Sequence, residues 1–109
     1  MLLYKQYKTL LLIKRINMDP EQSIKNRLAL EPYKLATTRY LRSTMALKGI
    51  KYNELSESLA QRGIEMTPAN LRSKVSKGML AADLLAAIVD VLEVKDNSIQ
   101  EIIKLVSDA

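Results

Sequence analysis

Each of the three glycines in this chain, Gly49, Gly63 and Gly78, stands directly after a stretch whose apolar residues recur at helical spacing. A helix wants such a residue at its end, where the left-handed backbone conformation closes the last turn. None of the three is arranged to cradle a phosphate. With three Gly and three Pro in 109 residues, an all-β chain with many tight turns is disfavoured. The punctuation predicts an all-α fold, and no strand alternation or internal repeat competes with it.

The helices follow from caps and spacing. Asp19 is a good N-cap and Pro20 a good first residue for a short helix over 20–30. Pro32 should end it, because the residue before a proline is pushed out of the helical region. A second helix is predicted over 33–47, its apolar positions being Tyr33, Tyr40, Leu41, Met45 and Leu47. A third, over 52–62, sets Leu55 and Leu59 on one face. Thr67 and Pro68 start the fourth as N-cap and N1, with Met66 and Leu71 spaced as a hydrophobic staple and Leu71 and Val75 facing inward. The fifth, over 81–92, carries a wide stripe of Leu84, Leu85, Ile88, Val89 and Leu92 and should lie at the centre. The last starts at Ser98, which forms an S-x-x-E capping box with Glu101. Its apolar face is Ile99, Ile102, Ile103 and Val106.

Composition narrows the chemistry. There is no Cys and no His. A disulfide framework, thiolate chemistry and an ordinary zinc site are therefore absent, and so is the commonest general base. The chain is not expected to be an enzyme, and neither a cofactor nor a metal is implied. With no Trp and no Phe, the core must be aliphatic. Tyr40 and Tyr52 are expected at the core or its rim, and the five methionines as gap-fillers. Residues 1–78 hold 15 of the 17 basic residues and 6 of the 12 acidic ones, whereas residues 79–109 hold 2 and 6. A basic front with an acidic tail suggests a polyanion-facing surface and a separate packing or partner-facing end. Asp83, Asp90 and Glu93 are expected to be solvated.

The first seventeen residues carry four bases and no acid. Their apolar run, 10–13, is too short for a bilayer, which needs about 20 apolar residues. Lysines interrupt the apolar region and no small-residue cleavage site follows, so a signal peptide is not expected either. The segment suits an amphipathic helix, a strand or a basic arm. Met18 opens a stretch that reads like a natural start, so translation from Met18 is an expectation, with 1–17 as an upstream extension. The chain is expected in the cytoplasm, with residues 1–31 as a basic extension and short helix and 32–109 as the main domain.

Residues 33–106 thus read as five helices, the second and third short and joined by a Gly-containing turn. Gly49-Ile50-Lys51-Tyr52-Asn53-Glu54-Leu55-Ser56, then Leu59, the stretch 67–78 and the stretch 84–94 resemble the lambda-repressor-like helix-turn-helix superfamily. Within it the chain looks like a group of small bacterial and phage proteins with an aromatic-x-x-Leu-x-x-x-Leu helix, a longer turn with Gly and a basic-Gly ending. The likeness covers about two thirds of the chain. Two departures stand out. Lys51 occupies the second helix's N-cap, where Ser or Thr is usual, and the link from Leu59 to Thr67 is long. The resemblance implies a DNA-binding transcriptional regulator, repressor-like and working as a homodimer, with helix 67–77 as its recognition helix.

The face of that helix suits the task. At about 100° per residue, Pro68, Leu71 and Val75 cluster inward, Ala69, Ser73, Ser76 and Lys77 point outward, and Asn70, Arg72 and Lys74 flank them. Ala69 and Ser73 permit close approach to a major groove, where Asn70 can pair with adenine and Arg72 with guanine. Lys74, Lys77 and Thr67 suit phosphates, as do Lys48, Lys51 and Arg62 near the turn. Ile99, Ile103 and Val106 are a candidate dimer face, or alternatively close the core, and the N-terminal extension is another candidate dimer face. A second reading keeps the scaffold without DNA binding, as an antirepressor, antitoxin or adaptor with a protein partner through residues 2–16. A third, weaker reading makes the N-terminal segment a membrane-surface anchor.

Overall fold

The computed structural model describes residues 20–95 and 97–107. The expectations for residues 1–17, for Met18 as a start, for Asp19 as a cap and for a partner or membrane through the N-terminal segment lie outside them. The described residues form five α-helices and no strand: α1 (Pro20–Lys48), α2 (Tyr52–Gln61), α3 (Pro68–Lys77), α4 (Ala82–Val91) and α5 (Ser98–Ser107). The chain divides between Glu31 and Pro32 into two units. Among the described residues of the first, 20–31, nearly every side chain is exposed, including Ile24, Leu28 and Leu30.

The predicted break at Pro32 does not occur, and α1 runs through it for 29 residues. Proline removes one hydrogen bond to the carbonyl four residues back, here that of Leu28. Both residues are exposed, so water can satisfy the freed carbonyl.

The second unit, from Pro32 onward, holds the core. Ala36, Tyr40, Leu41 and Met45 enter from α1, Leu55 and Leu59 from α2, and Leu71 and Val75 from α3. Ile88 and Leu92 enter at α4 and Ile102 from α5. Each fully buried aliphatic side chain contributes roughly 1.5–3 kcal/mol. Ile88 and Leu92 are buried, but Leu84, Leu85 and Val89 are only half-buried, so α4 lies against the core by a narrow stripe and not at its centre as expected. Tyr33 and Leu47, expected on the apolar face of α1, are exposed, Leu47 by 89%. They flank the buried arc rather than lie in it.

At α5 the expected cap is corrected by one residue. Asn97 precedes the helix and its Oδ1 accepts from the N–H groups of Ile99 and Gln100 at 3.2 and 3.4 Å. Ser98 is already helical, and its hydroxyl meets the Tyr40 hydroxyl at 2.8 Å. Glu101 pairs instead with Lys104 at 3.2 Å. Ile102 closes the core, Leu105 and Val106 are half-buried, and Ile99 and Ile103 stay 56% and 52% exposed. Among the described residues, no helix is long and apolar enough to cross a membrane.

Candidate nucleic-acid interface

Local chemistry starts α3 where the sequence indicates. Thr67 is extended, and its hydroxyl accepts from the Asn70 N–H at 3.1 Å while Pro68 fills the first helical position. Leu71 and Val75 are fully buried and seat α3 on the core, with α2 packed beside it. The far end is held from α1. Thr38, itself buried, donates to the Val75 carbonyl at 2.6 Å, and Arg42 donates to the Ser76 hydroxyl at 2.8 Å. Gly78 closes the helix at φ 63° and accepts no side chain, because a Cβ there would fall on the backbone of Lys34.

Two anchored helix ends and one buried stripe leave the rest of α3 facing outward. Ala69, Asn70, Arg72, Ser73, Lys74 and Lys77 are all exposed. No acidic residue occurs between Pro68 and Lys77. Asn70, Ser73, Lys74 and Lys77 border one shallow groove, together with Met79. No hydrogen bond among the described residues occupies the side-chain amide of Asn70. Lys74 and Lys77 sit in the last turn, where positive charge also complements the helix dipole.

The remaining predicted phosphate contacts are spread more widely. Lys51 is exposed at the N-cap of α2, and its backbone N–H donates to the Glu54 carboxylate at 3.4 Å. It adjoins Tyr52, whose ring lies beneath the Arg72 guanidinium. Arg62 reaches the Asp90 carboxylate at 3.3 Å and the Ser58 carbonyl at 3.4 Å. Lys48 donates to the Glu93 carbonyl at 3.3 Å, beside a groove lined by Tyr40, Leu47, Val94 and Leu105. Lys48 and Arg62 are thus attached to the end of α4, whereas Thr67, Lys74 and Lys77 share α3 with the four candidate base readers.

Residues 33–97 match a family model described as Domain of unknown function (DUF6471). The chain belongs to this family. The DUF6471 match takes in the second half of α1 and all of α2, α3 and α4, and it stops before α5. No curated protein and no solved structure matches the chain.

Three contributors to the DUF6471 surface escape the sequence reading. Met79 is exposed beside Lys77; its place just past a helix-ending glycine is the only signal for it. Arg42 meets Ser76 across two helices, and no spacing along the chain announces such a pair. Tyr52 is half-buried, as a residue expected at the core or its rim can be, but nothing in its spacing announces the contact with Arg72.

Proposed function

We propose that this DUF6471 domain is a sequence-specific DNA-binding transcriptional regulator of the lambda-repressor-like helix-turn-helix kind, with α2 and α3 as the motif and α3 as recognition helix. The observation that carries the reading is the outward face of α3. Small Ala69 and Ser73, fork donors Asn70 and Arg72, and cations Lys74 and Lys77 are exposed together on a helix without a carboxylate. Base edges in a major groove are read by such donors, and phosphates are met by such cations. Lys51, Arg62, Lys48 and Thr67 are further phosphate contacts on this reading.

One such unit reads few bases, and pairing of two copies on adjacent half-sites is the usual remedy. A cytoplasmic homodimer is the form we propose, and Ile99 and Ile103 are an exposed apolar pair suited to it.

Selection from a random duplex pool at several salt concentrations tests the proposal. The expected result is a defined, two-fold-symmetric site whose binding weakens steeply with salt. Arg72→Ala should relax one position at a cost of about 1–3 kcal/mol. Failure of any duplex to enrich would turn the search to protein partners of the same scaffold.

A further inference from the structure

Tyr52 opens α2, and Arg72 stands on the outward face of α3. The Arg72 guanidinium carbon lies 5.4 Å from the centroid of the Tyr52 ring, within the range of cation–π attraction. Tyr52 is half-buried and packs against the core. Its hydroxyl is buried and makes no hydrogen bond, so packing and not a polar contact fixes the ring. What this side chain offers at the surface is the face of its π system.

Arg72 is exposed, and no carboxylate among the described residues pairs with it. A guanidinium held over a ring by its charge keeps the N–H donors on its far side free. Edge donors in a fixed fork are what a guanine requires for bidentate pairing through O6 and N7. An arginine without support would sample many rotamers and lose that freedom on binding, which weakens the contact.

We infer that Tyr52 is a positioning residue: its ring holds Arg72 with the guanidinium edge presented to a guanine, making Tyr52 a determinant of sequence preference that touches no base. The inference rests on the DNA-binding reading of α3. A ring that only joined α2 to α3 would affect folding and binding to every duplex alike. A positioning ring affects one base pair.

The test uses the full chain and the duplex selected from a random pool, with each base pair then replaced singly. Wild type is compared with Tyr52→Phe, Tyr52→Leu, Arg72→Ala and the Tyr52→Leu/Arg72→Ala pair. We expect Arg72→Ala to abolish the preference at one G·C position. Tyr52→Leu should weaken that same preference about two- to fivefold, as loss of an exposed cation–π contact implies, and leave the others intact. Tyr52→Phe should behave as wild type, and the double variant as Arg72→Ala alone. Should Tyr52→Leu fail to fold by thermal denaturation, Tyr52→Met takes its place, being unbranched and equally without a π face. The inference is overturned if the leucine variant keeps the wild-type preference at the Arg72 position, weakens all positions equally, or adds to the loss caused by Arg72→Ala. A pool from which nothing enriches overturns the DNA-binding reading itself; a site that enriches with an unaltered Tyr52→Leu profile overturns only the role of Tyr52.

Discussion

Gly78 carries two constraints where Gly49 and Gly63 carry only the first. Its backbone is left-handed and the space beside it is filled by the Lys34 backbone, whereas Gly63, at φ 83°, has open space around it. A left-handed conformation costs an ordinary residue roughly 1–2 kcal/mol. Gly63→Ala should therefore lose about that much in urea denaturation, and Gly78→Ala distinctly more, because α1 and α3 must also separate. A loss at Gly78 equal to that at Gly63 would show that α3 yields easily at this end. Thr38 is the milder case at the same junction. Thr38→Val removes one buried hydrogen bond, worth about 1 kcal/mol, but the Val75 carbonyl keeps its bond from the Gly78 N–H at 3.1 Å. At Tyr52 the balance reverses. Its hydroxyl is buried without a partner, so Tyr52→Phe should leave stability unchanged or raise it by up to about 1 kcal/mol.

Among the helices, α5 shows how one residue of register decides which bond a side chain makes. Asn97 supplies the cap and Ser98 is bonded to Tyr40. Asn97→Ala should cost about 1 kcal/mol whatever occupies position 40. The cost of Ser98→Ala should largely vanish in a Tyr40→Phe background, and equal losses in both backgrounds would place the serine back in a capping role. Sequence alone could not choose, since Asn97 with Gln100 and Ser98 with Glu101 both fit the spacing of a helix start. The end of α2 and both ends of α3 were legible because Gly63, Thr67-Pro68 and Gly78 are local signals. The inward Leu71 and Val75, and hence the outward face of α3, followed from periodicity for the same reason. Pro32 misled because a proline penalty says nothing about whether the helix around it can absorb the loss. The exposure of Tyr33, Leu47, Ile99 and Ile103 depends on which neighbouring helix is present at each face. The contact between Tyr52 and Arg72 depends on the angle between α2 and α3, which a long turn leaves unwritten in the sequence.

Across the whole chain, charge is unevenly placed: 15 of 17 basic residues precede residue 79, and half of the 12 acidic ones follow it. On the proposed DNA-binding reading, the number of cations matters less than how many are free to meet phosphates. Arg62 is already paired with Asp90 and Lys48 with the Glu93 carbonyl. Lys74→Ala and Lys77→Ala should each flatten the logarithmic salt dependence of duplex binding by about one. Arg62→Ala should flatten it less, and a larger effect there would mean that Asp90 releases the arginine on binding.

The division of labour within α3 has a further consequence. Leu71, Val75 and Gly78 hold the helix in place, while Ala69, Asn70 and Ser73 support nothing beneath them. Substitutions at such exposed positions typically move stability by no more than about 0.5 kcal/mol. On the proposed DNA-binding reading, a lineage, or a designer, could rewrite these three letters freely and obtain a different reader on an unchanged frame.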